Sequence, residues 1–378
     1  AFERFHRKTV RSLKDDEGWV HEAEGEIQTL IISYFIDIFQ SSRPDIHAID
    51  ECLATLVPRV SDDMNAMLTR PFSPEEVKQA LNQMHPLKSS GPDGMSPIFF
   101  QKFWHIVGSD TASCVLCFLN EGVLDPALNH THIVLLPKCA CLERVTDFRP
   151  ISFCNVVHKI ASKAIANRLK PLLGSIISES QFAFVPGRLT TDNVLVAHEL
   201  NFYLTHNYWG SSGHISLKLD INKAYDHVGW IFLERVLVRL GSHATFVKLI
   251  MHCVSSAFFI LVEWRHLVVY FSRRSGLEIS KAVLQTLEEA SGFKMNIGKS
   301  VVVFSKNTLA HVPSELAMIL GVPMVPKHDK YLELPSIVEQ SKRTVFDSIK
   351  DRIWRKMQCW STKKLSQAGR MVMIKSVL

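Results

Sequence analysis

A carboxylate at the end of an alternating segment is the first feature of this sequence that could do chemistry. Residues 214–221 alternate between apolar and polar side chains, as a strand does, and Asp220 lies near their end. A helix is expected from about residue 223 to residue 240, so Asp220 would lie exposed at the strand end, beside the helix's first backbone amides. Such a place suits a divalent metal ion together with a triphosphate. The alternative is that Asp220 only caps the helix, and the motif alone does not decide between the two.

The elements that must position this carboxylate are expected to be mainly helices with short strands between them. Periodicity predicts helices at residues 27–39, 99–119, 151–173, 191–205, 223–240 and 315–320 and over most of 344–378. It predicts strands at residues 132–137, 214–221, 258–264, 267–271 and 301–304. Ser73 opens a capping box with Pro74 at the first helical position. One face of that helix carries Val77, Ala80, Leu81 and Met84.

Composition and charge restrict the class of protein. The chain has 378 residues, of which 47% are hydrophobic and 21% charged, as in globular proteins that form two or three packed units. No run of about 18 apolar residues exists, so no membrane span is expected. Residues 342–378 carry a balance of +8, whereas the rest of the chain has −2. This basic segment is either a nucleic-acid surface or a solvated helical face. The chain begins at Ala1 rather than Met, and we expect it to be a piece of a longer reading frame.

Several segments follow one another along the chain in an order that resembles a known family. They are residues 88–94 with 99–104, then 132–138, 147–152, 179–188, 217–228, 290–296, 330–335 and 365–370. In this order the chain resembles the reverse transcriptase of LINE-type (non-LTR) retrotransposons, especially their plant members. The resemblance covers roughly residues 1–264 and 277–378.

The resemblance implies a fold and a division of the chain. The fold would be α+β and helix-rich, a right-hand polymerase with fingers, palm and thumb. Residues 1–70 would be an N-terminal extension, residues 71–210 the fingers-like segment, residues 211–305 a truncated palm and residues 306–378 a basic, thumb-like region. If the protein is made, it would be intracellular, in the nucleus or the cytoplasm.

The resemblance also implies roles for four residues. DNA synthesis in this family is phosphoryl transfer by two metal ions, normally Mg²⁺, on an RNA template and a DNA primer. Asp220 matches the first catalytic and metal-binding Asp, and Tyr225 matches the aromatic gate that excludes a ribose 2′-hydroxyl. Lys138 and Arg149 match finger residues that contact the incoming triphosphate. The alternatives are that Lys138 is an ordinary surface lysine and that Arg149 belongs to a structural ion pair.

The sequence departs from the family after residue 264. The family has an Arg-Gln-Gly-Asp-Pro-Leu-Ser-Pro segment there, and a Phe-Ala-Asp-Asp hairpin that supplies the remaining metal carboxylates. Neither is present, and no Asp occurs between His227 and His328. Glu288 and Glu289 form an adjacent acidic pair, which a helix is expected to point to solvent.

These observations leave three interpretations. Residues 265–276 indicate an internal deletion or a mis-spliced gene model, so the first is a reverse transcriptase by ancestry without polymerase activity, a pseudoenzyme. The second is a noncatalytic nucleic-acid-binding protein that reuses the fingers and thumb. The third is a pseudogene product without function. Binding to nucleic acid separates the second from the third.

Overall fold

The structure is a computed structural model that divides into two compact units. Its described residues are 12–39, 44–123, 128, 131–138, 142–206, 213–222, 227–255, 267–271, 274–308, 312–328, 330–331, 334–335, 347, 350–351 and 354. The first unit comprises Ala1–Arg188, Asp220–Arg265 and Glu278–Asn296. The second comprises Leu189–Leu219, His266–Leu277 and Ile297–Leu378.

Helices provide most of the regular structure in the described part of the chain. They are α1 (Glu24–Phe39), α2 (Ile46–Cys52), α3 (Asp62–Thr69), α4 (Pro74–Asn82), α5 (Pro97–Lys102), α6 (Trp104–Leu116), α7 (Val156–Leu169), α8 (Leu173–Ile176), α9 (Thr190–His206), α10 (Trp230–Arg239), α11 (Ala244–Ser255), α12 (Arg274–Ser291) and α13 (Val312–Leu320). Single 3₁₀ turns occur at Val145–Asp147, Lys170–Leu172 and Ile297–Lys299, and a π turn at Cys117–Glu121. Within the described residues, a helix with the length and apolar character of a membrane span is not found.

The strands form small antiparallel sheets. They are β1 (Leu13–Lys14), β2 (Val20–His21), β3 (Thr131–Pro137), β4 (Phe148–Cys154), β5 (Ile215–Leu219), β6 (Ile221–Asn222), β7 (Leu267–Phe271), β8 (Lys294–Met295), β9 (Val301–Phe304), β10 (Lys330–Tyr331) and β11 (Leu334–Pro335). In the first unit β1 pairs with β2, β3 with β4, and β6 with β8. In the second unit β5 lies between β7 and β9, and β10 pairs with β11.

The main core of the first unit forms around α4 and α7, and the capping box at the start of α4 is confirmed. Ser73 Oγ accepts a hydrogen bond from Glu76 N at 3.4 Å, and the Glu76 carboxylate accepts one from Ser73 N at 3.1 Å. The predicted apolar face of α4 is buried, with Val77, Ala80, Leu81 and Met84 all in this core. Burial of each large apolar side chain stabilises the fold by roughly 1.5–3 kcal/mol relative to exposure.

Arg168 of α7 joins this core to the chain before α4. Its Nε and Nη2 donate to the two Glu76 carboxylate oxygens at 2.9 and 2.8 Å. The remaining N–H groups donate to backbone carbonyl oxygens, those of Leu68, Arg70 and Pro71. The guanidinium lies 3.4 Å from the Phe72 ring centroid, and the Arg168 side chain is only 5% exposed. All five donors have acceptors, so this arginine has a structural role.

The sheet of the second unit is buried on both faces of β5. Ile215, Leu217 and Leu219 are at most 3% exposed, as the alternation predicts. Ser216, on the other face, is only 1% exposed, and its Oγ lies 3.1 Å from His328 Nε2. The alternation of residue types therefore marks two different buried environments in this strand.

Two predicted helices differ in the structure. Residues 151–154 belong to β4, because the backbone of this segment pairs with β3 from Thr131 opposite Cys154 to Pro137 opposite Phe148. The helix begins only after Asn155, whose backbone is extended. The predicted helix at 99–119 is divided into α5 and α6, since Phe103 between them has φ −102° and ψ 21°.

Three other predicted helices and three predicted strands agree with the described residues, whereas the helix predicted at 223–240 begins later, at Trp230. Helices at 27–39, 191–205 and 315–320 lie within α1, α9 and α13, and strands at 132–137, 267–271 and 301–304 correspond to β3, β7 and β9. The strand predicted at 258–264 lies outside the described residues, as does most of the helical segment at 344–378.

Candidate active site

Asp220 directly follows β5 in the chain, as the sequence predicts, but its surroundings differ from the prediction. The residue is 6% exposed, so the expectation of an exposed carboxylate at the lip of a sheet is wrong. The chain continues into β6, which pairs with β8 through Ile221 opposite Met295. Asn296 N then donates to Asp220 O at 2.7 Å. Pairing with a segment more than 70 residues away in sequence therefore encloses the position.

The helix after Asp220 also begins later than predicted. Gly229 is extended, with φ −66° and ψ 132°, and α10 begins at Trp230. Gly229 N donates to Ser291 O at 2.8 Å, so the chain here is fixed to the end of α12 instead of continuing a helix from residue 223. Tyr225 lies outside the described residues.

The Glu288 side chain was expected from the sequence to point to solvent, but it lies near Asp220. Its Oε1 accepts a hydrogen bond from Met295 N at 2.5 Å, and the next residue, Asn296, binds the Asp220 carbonyl. Glu289 is exposed, as predicted. The expectation is therefore wrong for Glu288, because the turn after α12 folds back and brings a backbone donor to it. The acidic pair alone contains no signal that distinguishes its two members.

Lys138 and Arg149 are brought together on the β3–β4 hairpin. Leu136 is opposite Arg149 in the register, and Lys138 N donates to Asp147 O at 2.8 Å. Residues two apart share a face of a strand, so both cationic residues belong to the same face of the hairpin. Both are exposed. The hairpin thus presents two positive charges on one surface.

The end of this hairpin is stabilised by local hydrogen bonds. The Asp147 carboxylate accepts from Arg144 N at 2.9 Å and from Glu143 N at 3.0 Å, and these bonds lower the pKa of Asp147 from its ordinary value of 3.8. Lys138 Nζ donates to Thr146 O at 2.8 Å. The Lys138 ammonium is therefore positioned by the turn itself.

Comparison with known proteins assigns the region that contains these residues. Residues 136–287 match the model of the reverse transcriptase (RNA-dependent DNA polymerase) family. This region of the chain is therefore similar to a reverse transcriptase domain. It is also 30% identical, over 254 residues, to the Xenopus laevis protein named "Transposon TX1 uncharacterized 149 kDa protein". That alignment covers 67% of this chain and 19% of the relative, so the chain spans about a fifth of the relative's length.

All four site residues predicted from sequence fall inside the reverse transcriptase match. Lys138 and Arg149 lie on the hairpin at its beginning, and Asp220 lies after β5. Tyr225 is within the matched range but outside the described residues. The structure therefore gives a position for three of the four side chains and joins two of them on one face.

The donor set in the described part of residues 136–287 does not fit a two-metal centre. Mg²⁺ requires near-octahedral oxygen ligands, and two such ions need several shared carboxylates. The described residues contain no group of three or more His, Cys, Asp or Glu side chains that could hold a metal ion. Asp220 is buried, and the Glu288 carboxylate accepts from the backbone of Met295.

The loop at residues 88–94, one of the segments behind the family resemblance, is held against the start of α7. Asn155 Oδ1 accepts from Asp93 N at 3.3 Å, and Lys159 Nζ donates to Ser89 O at 2.7 Å. A Cβ added at Gly91 would lie 2.6 Å from the Asn155 Cα. The glycine is therefore required by close approach of the loop to the backbone of α7.

Proposed function

We propose that this chain derives from the reverse transcriptase of a LINE-type (non-LTR) retrotransposon of the plant type, and that it binds nucleic acid without extending a primer. The reverse transcriptase match over residues 136–287 and the similarity to a transposon protein support the ancestry. In this proposal the family's right-hand fold is present with a truncated palm, and the boundaries are those expected from sequence: 1–70, 71–210, 211–305 and 306–378.

The observation that carries the proposed defect is the distribution of acidic residues in the sequence. Asp220 is followed by no Asp between His227 and His328, where the family places its second carboxylate element. Two divalent ions about 4 Å apart repel by roughly 16 kcal/mol at an effective dielectric constant of 20. One carboxylate supplies only two ligand oxygens, too few for two ions that each require near-octahedral coordination, so Asp220 alone would not hold both ions.

The remaining site residues keep roles in binding. Lys138 and Arg149, on one face of the hairpin, would contact phosphate groups of a nucleotide or a strand. Tyr225 would correspond to the aromatic gate that excludes a ribose 2′-hydroxyl in the family. The RNA template and the DNA primer would be the partners inherited from the family. In this proposal the chain binds nucleic acid in the nucleus or the cytoplasm.

Primer extension tests the proposed defect. Purified full-length protein is incubated with an RNA template, a DNA primer, nucleotides and either Mg²⁺ or Mn²⁺, beside Asp220→Asn and the matched surface variant Asp110→Asn. We expect no product beyond the level of Asp220→Asn in any sample. Extension by the wild type and by Asp110→Asn that disappears in Asp220→Asn would show a functional centre and contradict the proposal.

Nucleic-acid binding is tested separately, through the basic segment at residues 342–378. Its excess of cations should release counterions from phosphates, so affinity for an RNA–DNA hybrid should fall steeply with salt. Replacing the lysines of this segment with Gln in the full-length chain should weaken binding and reduce the salt slope. Unchanged affinity and slope would show that the segment is a solvated surface.

A further inference from the structure

The described part of the first unit contains a cavity that is distinct from the residues predicted for nucleotide binding. It has a volume of about 710 Å³ and is lined mainly by residues of α4 and α7, with Met67 of α3 and Pro186 also in its lining. Lys138, Arg149 and Asp220 do not line it. A volume of this size is within the range of sites that enclose a small ligand or part of a larger one.

The lining of this cavity is positively charged. Four of its residues are cationic, namely Arg70, Lys163, Arg168 and Lys170, and one is acidic, Glu76. Arg168 neutralises Glu76 and has no donor left, whereas Arg70 is 64% exposed and only 3.4 Å from Glu76. Lys163 and Lys170 form no ion pair within the part of the chain that the structure describes. The cavity therefore offers unneutralised cations to an anion.

The neutral part of the lining indicates what kind of anion fits. Gln79, Gln83 and Asn167 line the same cavity, and each amide can both donate and accept hydrogen bonds. Pro171 and Pro186 add flat apolar surface. A nucleobase has a polar edge and an apolar face, and it is linked to a phosphate, so a single nucleic-acid strand uses all three kinds of lining. The acidic side chains and backbone of a peptide would use the cations and the amides, but they offer no flat base to lie against the prolines.

The loop that contributes Pro186 has a second feature of a ligand-binding segment. Phe184, two residues earlier, is 63% exposed and has φ +64°. A non-glycine residue in this region costs roughly 1–3 kcal/mol and persists where the surroundings impose it. Arg188 joins the chain before Phe184 to the chain after it, since its Nη1 donates to Ser178 O at 2.5 Å and to Gln181 O at 2.6 Å. The loop thus presents an aromatic face of the kind on which bases stack.

We infer that this cavity binds a short single-stranded segment of nucleic acid, with Lys163 and Lys170 contacting its phosphates and the amides of α4 and α7 contacting base edges. The inference rests on the proposed function for the class of partner and on the cavity for the place of binding. It deepens the proposed function by adding a site apart from the hairpin and from the basic segment.

Protection from acylation tests the place of binding in the wild-type chain. The full-length protein is treated with an amine-acylating reagent, with and without an oligouridylate of about eight nucleotides, a length typical of single-strand sites. Mass spectrometry then compares Lys163 and Lys170 with Lys78 and Lys102, which are exposed on α4 and α5 and do not line the cavity. We expect protection of the cavity lysines alone.

Matched double variants test the contribution of the two lysines. Lys163→Gln with Lys170→Gln and the control Lys78→Gln with Lys102→Gln remove the same charge from the chain. Each single-strand phosphate contact contributes about 0.7 to the salt slope of log affinity, so the cavity variant should lose about 1.4 and bind more weakly. The control should keep the wild-type slope.

Other outcomes would overturn the inference in distinguishable ways. Equal protection by inorganic phosphate would show a simple anion site, and stronger protection by an oligoglutamate would show a site for acidic peptides. If the cavity lysines are not protected but the chain still binds the RNA–DNA hybrid, the cavity is not a nucleic-acid site and the proposed function still holds. If the wild-type chain binds no nucleic acid at all, the proposed function itself is contradicted.

Discussion

Replacement of Arg168 by Met should destabilise the first unit strongly. Met keeps the length and the apolar stem of the side chain but removes all five donors. The Glu76 carboxylate, with its side chain only 22% exposed, then loses its bidentate partner, and three backbone carbonyls lose a donor. Breaking one partner of a buried ion pair costs roughly 3–5 kcal/mol. Partial rehydration of Glu76 favours the lower end, so we expect a loss of about 3 kcal/mol.

That loss is large compared with the stability of an ordinary domain, roughly 5–15 kcal/mol. Urea denaturation followed by circular dichroism measures the free energy of unfolding of the full-length chain and its variants. Arg235→Met is the matched control, since Arg235 forms an exposed ion pair with Asp50 at 2.9 Å. Exposed pairs contribute about 0–1 kcal/mol, so the control should remain close to the wild type.

The effect of pH gives an independent test of the same pair. The Arg168 guanidinium, through its hydrogen bonds, lowers the pKa of Glu76 from its ordinary value of 4.5. The resulting stabilisation is present above pH 4.5 and is lost as pH falls through the lowered pKa of the folded state. Arg168→Met should therefore flatten the acid limb of stability. A loss below about 1 kcal/mol, equal to that of the control, would refute a stabilising role for the network.

Three further predictions concern other parts of the chain. Gly91→Ala should lower the free energy of unfolding by roughly 1–3 kcal/mol in urea denaturation, because the added Cβ would overlap the backbone of Asn155; an unchanged value would contradict the close approach. Burial raises the pKa of the Cys253 thiol to about 11, so mass spectrometry should find it alkylated more slowly in the native protein than in urea, and equal rates would show that the thiol is accessible. The hydrogen bond that His21 Nε2 donates to the Asp15 carboxylate raises the pKa of His21 above its ordinary value of 6.5, so its stabilisation is present below pH 6.5 and is lost as pH rises through the raised pKa. Asp15→Asn should lower the His21 titration midpoint measured by NMR, and an unmoved midpoint would reject this pairing.

The sequence by itself determined the features that depend on neighbouring residues. The capping box of Ser73 and Glu76 spans three positions, and the apolar face of α4 repeats within two turns, so both are readable without a structure. The strand character of residues 215–219 and 301–304 follows from their own side chains. The order of the segments along the chain also gives the family resemblance. The match of residues 136–287 to the reverse transcriptase family supports that resemblance for this region.

Features that depend on distant partners were decided only by the tertiary structure. Residues 151–154 continue the helical pattern of α7, yet they form β4 because β3 offers them a complete ladder of backbone partners. Asp220 is buried because β8 pairs beside it, and Glu288 is engaged because the following turn brings it the amide of Met295. Arg168 meets Glu76 across 92 positions in the chain. Periodicity and capping act over a few residues, whereas burial and ion pairing depend on which distant segments meet, and no local pattern contains that information.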